Sequence, residues 1–222
     1  EIRLDQDGLI NILFNCTPKD WQHGSMRNSL RFTKGNRDFF LEPIEVLDIH
    51  WGWNFTFETD VNGDVHIFSQ HDPVEYTLGW HLSYWKGNYE TGFVFIENID
   101  SNANNESWVT QMIHLNSTKD VNGAIHLVYK SGGKPIDEKS DKGIYYTNNK
   151  SGSFLQPKKI TTLTGGVSGG RKYAIISGEL GIHVVYPDDG NGIYYTNNLS
   201  GDFRERTKII EDTHNTFPVI SI

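Results

Sequence analysis

Three residues in the chain have side chains suited to general acid–base work and sit in sequence contexts that read as loops: His50, His71 and Tyr76. A His/Tyr pair can take a proton from a carbon beside a uronate carboxylate and return one to the leaving oxygen, given a nearby cation such as Lys19 or Arg27. The same stretches carry Trp21, His23, Trp51, Trp53, Trp80 and Trp108. Flat aromatic faces beside hydrogen-bonding side chains suit sugar rings, which present apolar C–H patches and polar rims. The candidate ligand-binding set is therefore Trp21, His23, His50, Trp51, Trp53, His71, Tyr76, Trp80 and Trp108. His50, His71 and Tyr76 are the candidate catalytic residues. The competing explanation is packing: Trp53 and Trp80 adjoin strand-like runs and would also serve as fillers.

The elements that must hold these residues repeat. Asp5–Phe14 (DQDGLINILF), Asp60–Phe68 (DVNGDVHIF), Asp120–Tyr129 (DVNGAIHLVY) and Glu179–Tyr186 (ELGIHVVY) share one pattern. Its anchors, Asn11, His66, His126 and His183, are 55, 60 and 57 residues apart. A second motif follows in each unit: Gly143–Phe154 (GIYYTNNKSGSF), Gly192–Phe203 (GIYYTNNLSGDF), and the diverged Leu30–Phe40 and Leu82–Phe93. The runs alternate with period two, and N-G or D-G before the anchor is a hairpin signal. No helical periodicity is sustained. Four units of 55–60 residues with four strands each predict an all-β chain built as propeller blades. The units span 1–49, 50–107, 108–170 and 171–216, in one propeller domain. Residues 217–222 repeat the innermost-strand element already present at 1–4. Both ends then carry the same element, so the chain is expected to belong to a larger propeller or to self-associate through its terminal strands, ahead of the alternative that one end is redundant and frayed.

Within a blade of strands A to D, the short, alike A–B and C–D turns fall at one end. The longer, dissimilar B–C and D–A connections fall at the other, and variable loops on a regular scaffold usually carry function. A residue repeated in every unit, as at His66, His126 and His183, is expected to pack rather than ligate. The D-x-N/D-G stretches and Asp188–Asn191 read as hairpin turns, short of a calcium loop's ligand count.

The motif D-x-N-G-x-x-H-I-x-Y followed by Y-Y-T-N-N-x-S-G-x-F resembles blades of sialidase-like propellers with BNR (Asp-box) repeats. Thr147–Phe154 looks like a degenerate Asp box, in which a small polar side chain ties the third-to-fourth-strand turn and an aromatic closes it. The resemblance implies scaffold, not activity. A sialidase would need three convergent arginines. Arg31, Arg37, Arg204 and Arg206 map to strands or turns away from the variable end, which argues against that activity.

Composition narrows the classes. There are 20 basic and 28 acidic residues with no Lys/Arg-rich block, which argues against nucleic acid as a partner. No apolar run approaches the ~20 residues of a transmembrane helix. A single Cys16 excludes an internal disulfide and a Cys-cluster metal site. No metal or cofactor is expected. Six N-x-S/T sequons occur; Asn15, Asn54, Asn105, Asn149 and Asn198 are candidate glycosylation sites, and Asn116, in an inner strand, is not. The expected function is a secreted or cell-surface glycan-binding module. The alternatives are a polysaccharide lyase or glycoside hydrolase, and an assembly protein pairing through open blade edges.

Overall fold

The computed structural model describes residues 1–16, 28–49, 54–71, 81–100, 113–131, 143–163, 173–188, 192–211 and 220–221. Among the described residues every regular element is a strand, and there are sixteen. Blade one holds β1 (Ile2–Leu4), β2 (Ile10–Cys16), β3 (Asn28–Gly35) and β4 (Ile44–Ile49). Blade two holds β5 (Phe55–Thr59), β6 (Val65–His71), β7 (His81–Asn88) and β8 (Gly92–Asp100). Blade three holds β9 (Ile113–Lys119), β10 (Ile125–Ser131), β11 (Gly143–Asn148) and β12 (Lys158–Thr162). Blade four holds β13 (Ala174–Ser177), β14 (Ile182–Asp188), β15 (Gly192–Asn197) and β16 (Thr207–Ile210). Each blade is a separate four-stranded antiparallel meander in chain order. One sheet falls in each expected repeat unit, and the all-β, four-blade expectation holds. The inner-strand element expected at 217–222 lies largely outside the described residues. Among the described residues no helix is long and apolar enough to cross a membrane.

The chain forms two compact units, Glu1–Glu106 with blades one and two, and Ser107–Ile222 with blades three and four. Alternation gives each blade two faces, and each unit's core forms where one blade's face meets the next. In the first unit Leu13, Leu30, Phe32 and Leu47 pack on Phe57, Val65 and Ile67, with Phe32 edge-on to Phe57 at 6.4 Å. In the second, Val128, Ile144 and Tyr146 pack on Ile182, Val184 and Tyr186. The inner strands β9 and β13 are tied by polar side chains: Asn116 Nδ2 donates to the Tyr173 carbonyl at 2.9 Å.

The turns explain why the hairpins close in register. Asp60 Oδ1 accepts the backbone N–H groups of Asn62 and Asp64 at 2.9 and 3.0 Å, and Asp120 Oδ1 does the same for Asn122 and Ala124. Gly63 and Gly123 close these turns at φ of 82° and 84°, where a side chain would be strained. The C–D turns repeat as well. The hydroxyls of Thr33, Thr147 and Thr196 donate to the carbonyls of Leu41, Leu155 and Arg204. Phe203 then closes blade four edge-on to Tyr146 at 4.9 Å.

Candidate functional site

In every blade the A–B and C–D connections fall at one end of the sheet, while the ends of β2, β6, β10 and β14 point the opposite way. The two ends differ chemically. The turn end carries the repeated histidines, whose roles are now explicit. His66 Nε2 lies 3.1 Å from Asp60 Oδ2 and its Nδ1 lies 2.7 Å from the Tyr84 hydroxyl. His126 makes the same contacts with Asp120 and Tyr146 at 3.1 and 2.6 Å. A neutral imidazole satisfies both partners: Nε2–H donates to the carboxylate and Nδ1 accepts the phenol O–H.

Burial holds both imidazoles below the ordinary histidine value despite the adjacent carboxylates. Burial also pushes the Asp60 and Asp120 carboxyls up, but the histidine and backbone hydrogen bonds outweigh it and hold them below 3.8. Burial, with the charge of Asp60 among others, pushes the Tyr84 phenol up to about 12, and burial takes Tyr146 to about 12 as well. An Asp–His–Tyr relay resembles catalytic machinery, yet every member here is engaged within its own blade. It staples the A–B turn to strand C, as its repetition predicts.

The other end holds buried charge. Asp188, the last residue of β14, has a fully buried side chain, and Arg206 Nη1 reaches its Oδ2 at 2.8 Å. The guanidinium also donates to the Thr162 carbonyl at 3.3 Å and lies over the Tyr194 ring at 4.3 Å. The Tyr186 phenol is pushed up by burial, partly offset by Thr161 and Arg206. Lys130, next to the end of β10, is 6 % exposed. In blade two, Ser69, Ser83 and Asp100 are buried near the same end, with Ser83 Oγ donating to Asn98 Oδ1 at 2.8 Å. A buried carboxylate paired with arginine can anchor this end of the blade and accept further hydrogen bonds.

Two expectations are corrected here. The repeat pattern puts Arg206 away from the variable end. Its backbone leads into β16, but its side chain reaches Asp188 at the end of β14. The sequence reads Asp188 as a turn residue; in the structure it completes a strand and is buried because Arg206 neutralises it. A repeat comparison carries the signal for both. The position five after the anchor reads Cys16, His71, Ser131 and Asp188 in the four blades, and Arg206 occupies the place of Pro43 and Pro157.

Trp21, His23, His50, Trp51, Trp53, Tyr76, Trp80 and Trp108 lie outside the described residues, as does Asn105. His71 ends β6 with its backbone opposite His81. Of the sequon asparagines, Asn149 Oδ1 accepts the Ile125 N–H at 2.7 Å and Asn198 Oδ1 the Ile182 N–H at 2.6 Å. Asn15 lies in β2, and Asn54 directly precedes β5. Among the described residues no group of three or more His, Cys, Asp or Glu is arranged to hold a metal ion.

No protein-family model matches the chain, and no curated protein does. Solved structures do. The chain is similar to an alpha-L-arabinanase of Penicillium chrysogenum complexed with arabinobiose, with a TM-score of 0.65 and 12% identity over 94% of this chain and 62% of that one. It is similar to a polysaccharide lyase, an ulvan lyase, with a TM-score of 0.55 and 12% identity over 94% and 56%. It is also similar to an alpha-L-arabinofuranosidase of Fusarium graminearum, with a TM-score of 0.58 and 12% identity over 91% and 60%. The chain thus spans about three fifths of the length of these structures. Likeness at this identity gives the fold, a β-propeller.

Proposed function

We propose that this chain is a carbohydrate-recognising β-propeller, secreted or displayed at a cell surface, that binds glycan at the loop end of its blades. The observation that carries this is the separation of the two ends. Repeated turns and self-contained Asp–His–Tyr staples occupy one end, and the unlike connections, which hold Trp21, Trp51, Tyr76 and Trp80 in the sequence, belong to the other. Variation on a regular scaffold is where recognition is normally built. The carbohydrate-active neighbours support the ligand class. The C–D turns, latched by Thr147 and Thr196, fit the degenerate Asp-box reading.

A catalytic reading is favoured by one observation: the neighbouring propellers named above are enzymes that cleave or eliminate glycosidic linkages. In that reading His50, His71 and Tyr76 transfer protons, with Lys19 or Arg27 beside a uronate carboxylate. A glycan array with the intact protein tests recognition, and ultraviolet absorbance of unsaturated products from uronic-acid polysaccharides tests elimination. Binding without turnover supports the module; turnover lost in Tyr76→Phe supports the lyase. A blank array with no turnover overturns both.

A further inference from the structure

A cleft of about 260 Å³ opens at the turn end of the second unit, between the A–B turns of blades three and four. The first unit is built differently at the same place. There the Gln6 side chain donates to the Val61 carbonyl and bridges the two turns. Two sequence changes remove that bridge in the second unit. Val121 stands where Gln6 stands and cannot donate. Blade four's turn is also one residue shorter, pinched by Gly178 N–H to the Gly181 carbonyl at 2.8 Å, with Glu179 and Leu180 at its tip. A Cβ at Gly181 would sit 2.7 Å from Asn198 Oδ1, which accepts the Ile182 N–H.

The walls of the cleft are of two kinds. Val121 and Leu180 stand 82% and 79% exposed on its rim, joined by Leu199. The polar part is formed by Asp120, Lys150 and Glu179, with Lys150 Nζ 3.6 Å from Asp120 Oδ2. Asp120 is fixed by its histidine and two backbone N–H groups, so its carboxylate is preorganised rather than mobile. Apolar side chains facing preset hydrogen-bonding groups match a sugar ring, with C–H patches on one side and hydroxyls on the other. Two carboxylates against one ammonium repel an anionic sugar.

We propose that this cleft is a second saccharide subsite, at the end of the blades opposite the loops, and that it takes a neutral sugar ring. The ligand class rests on the carbohydrate reading above; the site does not depend on the loop face. The subsite exists because the repeat is broken here, while the matching gap in blades one and two is bridged.

The test is a methyl-NMR titration of the intact chain with cellobiose, galactobiose, arabinobiose and glucuronic acid, repeated on Val121→Gln and Trp51→Ala. The account expects the Val121, Leu180 and Leu199 methyls to shift with at least one neutral disaccharide, in wild type and in Trp51→Ala alike. Binding should weaken about tenfold or more in Val121→Gln, which restores the first unit's bridging residue, and glucuronic acid should bind at least about tenfold more weakly. Still methyls with every neutral disaccharide, equal response to glucuronic acid, or wild-type binding by Val121→Gln would each overturn it. If those methyls stay still while Trp51→Ala abolishes binding elsewhere, the subsite fails and the loop-face reading stands. If the methyls shift and Trp51→Ala changes no binding anywhere, the subsite stands and the loop-face reading fails.

Discussion

Blades three and four share the run Gly-Ile-Tyr-Tyr-Thr-Asn-Asn on their third strand, yet they differ at three places that decide what each can do. Blade three keeps Asp120 beneath His126; blade four has no aspartate at that position, and His183 keeps the Tyr195 hydroxyl at 2.7 Å. Blade three ends its second strand in Ser131, blade four in the buried Asp188. Blade three has Pro157 where blade four has Arg206. Where the two blades agree, the residues latch turns and fill the interface. Where they disagree, an ion pair is buried at one end and a cleft opens at the other. Agreement marks scaffold, and divergence marks the places available for function.

The sharpest way to break this comparison is to remove one half of the blade-four ion pair. Arg206→Met leaves Asp188 buried without its arginine and should cost about 3–5 kcal/mol in urea unfolding. The double change Asp188→Ser with Arg206→Pro, which writes blade three's residues into blade four, should recover much of that loss. A double variant no more stable than Arg206→Met would show that the pair is not the unit described.

Next in size is the staple. His126→Ala removes one partner each from the Asp120 carboxylate and the Tyr146 hydroxyl and should cost about 2 kcal/mol. His183→Ala, lacking the aspartate, should cost roughly half as much. Equal losses would erase the distinction between the blades.

Titration sharpens the same point. The imidazoles of His66 and His126 lie below their unfolded value of 6.5, so the native state resists their protonation. Their contribution is fully present above 6.5 and declines as pH falls through the depressed histidine values. Asp60 and Asp120, held below 3.8, lose theirs as pH falls further. Tyr84 and Tyr146 run the other way. With native values of about 12 against 10.0, their stabilisation is whole below 10 and disappears as pH rises toward 12. Phenolate absorbance of the native protein should show both ionising late, and Asp120→Asn should bring Tyr146 down, since its charge adds to the shift.

The smallest effect is expected at the exposed Lys158–Asp202 pair, 2.6 Å apart between the two blades. Lys158→Ala should change stability by less than about 1 kcal/mol, because solvent screens the attraction.

The fold was legible in the sequence because the blades restate their instructions: the aspartate and glycine that close the A–B turn in blades one to three, the alternating run in all four, and the Tyr-Tyr-Thr-Asn strand in blades three and four. The packing role of the repeated histidines was legible for the same reason. Asp188 and Arg206 were not, because their contact spans 18 residues and joins the end of β14 to the start of β16, two strands that are not neighbours in the sheet. The cleft was hidden differently. It comes from a residue that blade four lacks and a bridge that Val121 cannot make, and a deletion presents no side chain to notice. The loop aromatics, by contrast, declare a chemistry in sequence but not a geometry, since residue type alone does not say which rings share a face.

The central claim, that the principal glycan site belongs to the loop end and that the Asp–His–Tyr staples support the scaffold, is tested most directly by one paired measurement. Calorimetric binding of an array-selected glycan and thermal unfolding would be recorded on wild type, Trp51→Ala and His66→Ala. The account predicts that Trp51→Ala weakens binding about tenfold or more with the melting temperature unchanged, while His66→Ala lowers the melting temperature and, below it, binds as wild type. Intact binding with a lowered melting temperature in Trp51→Ala would make that residue a packing element and contradict the claim.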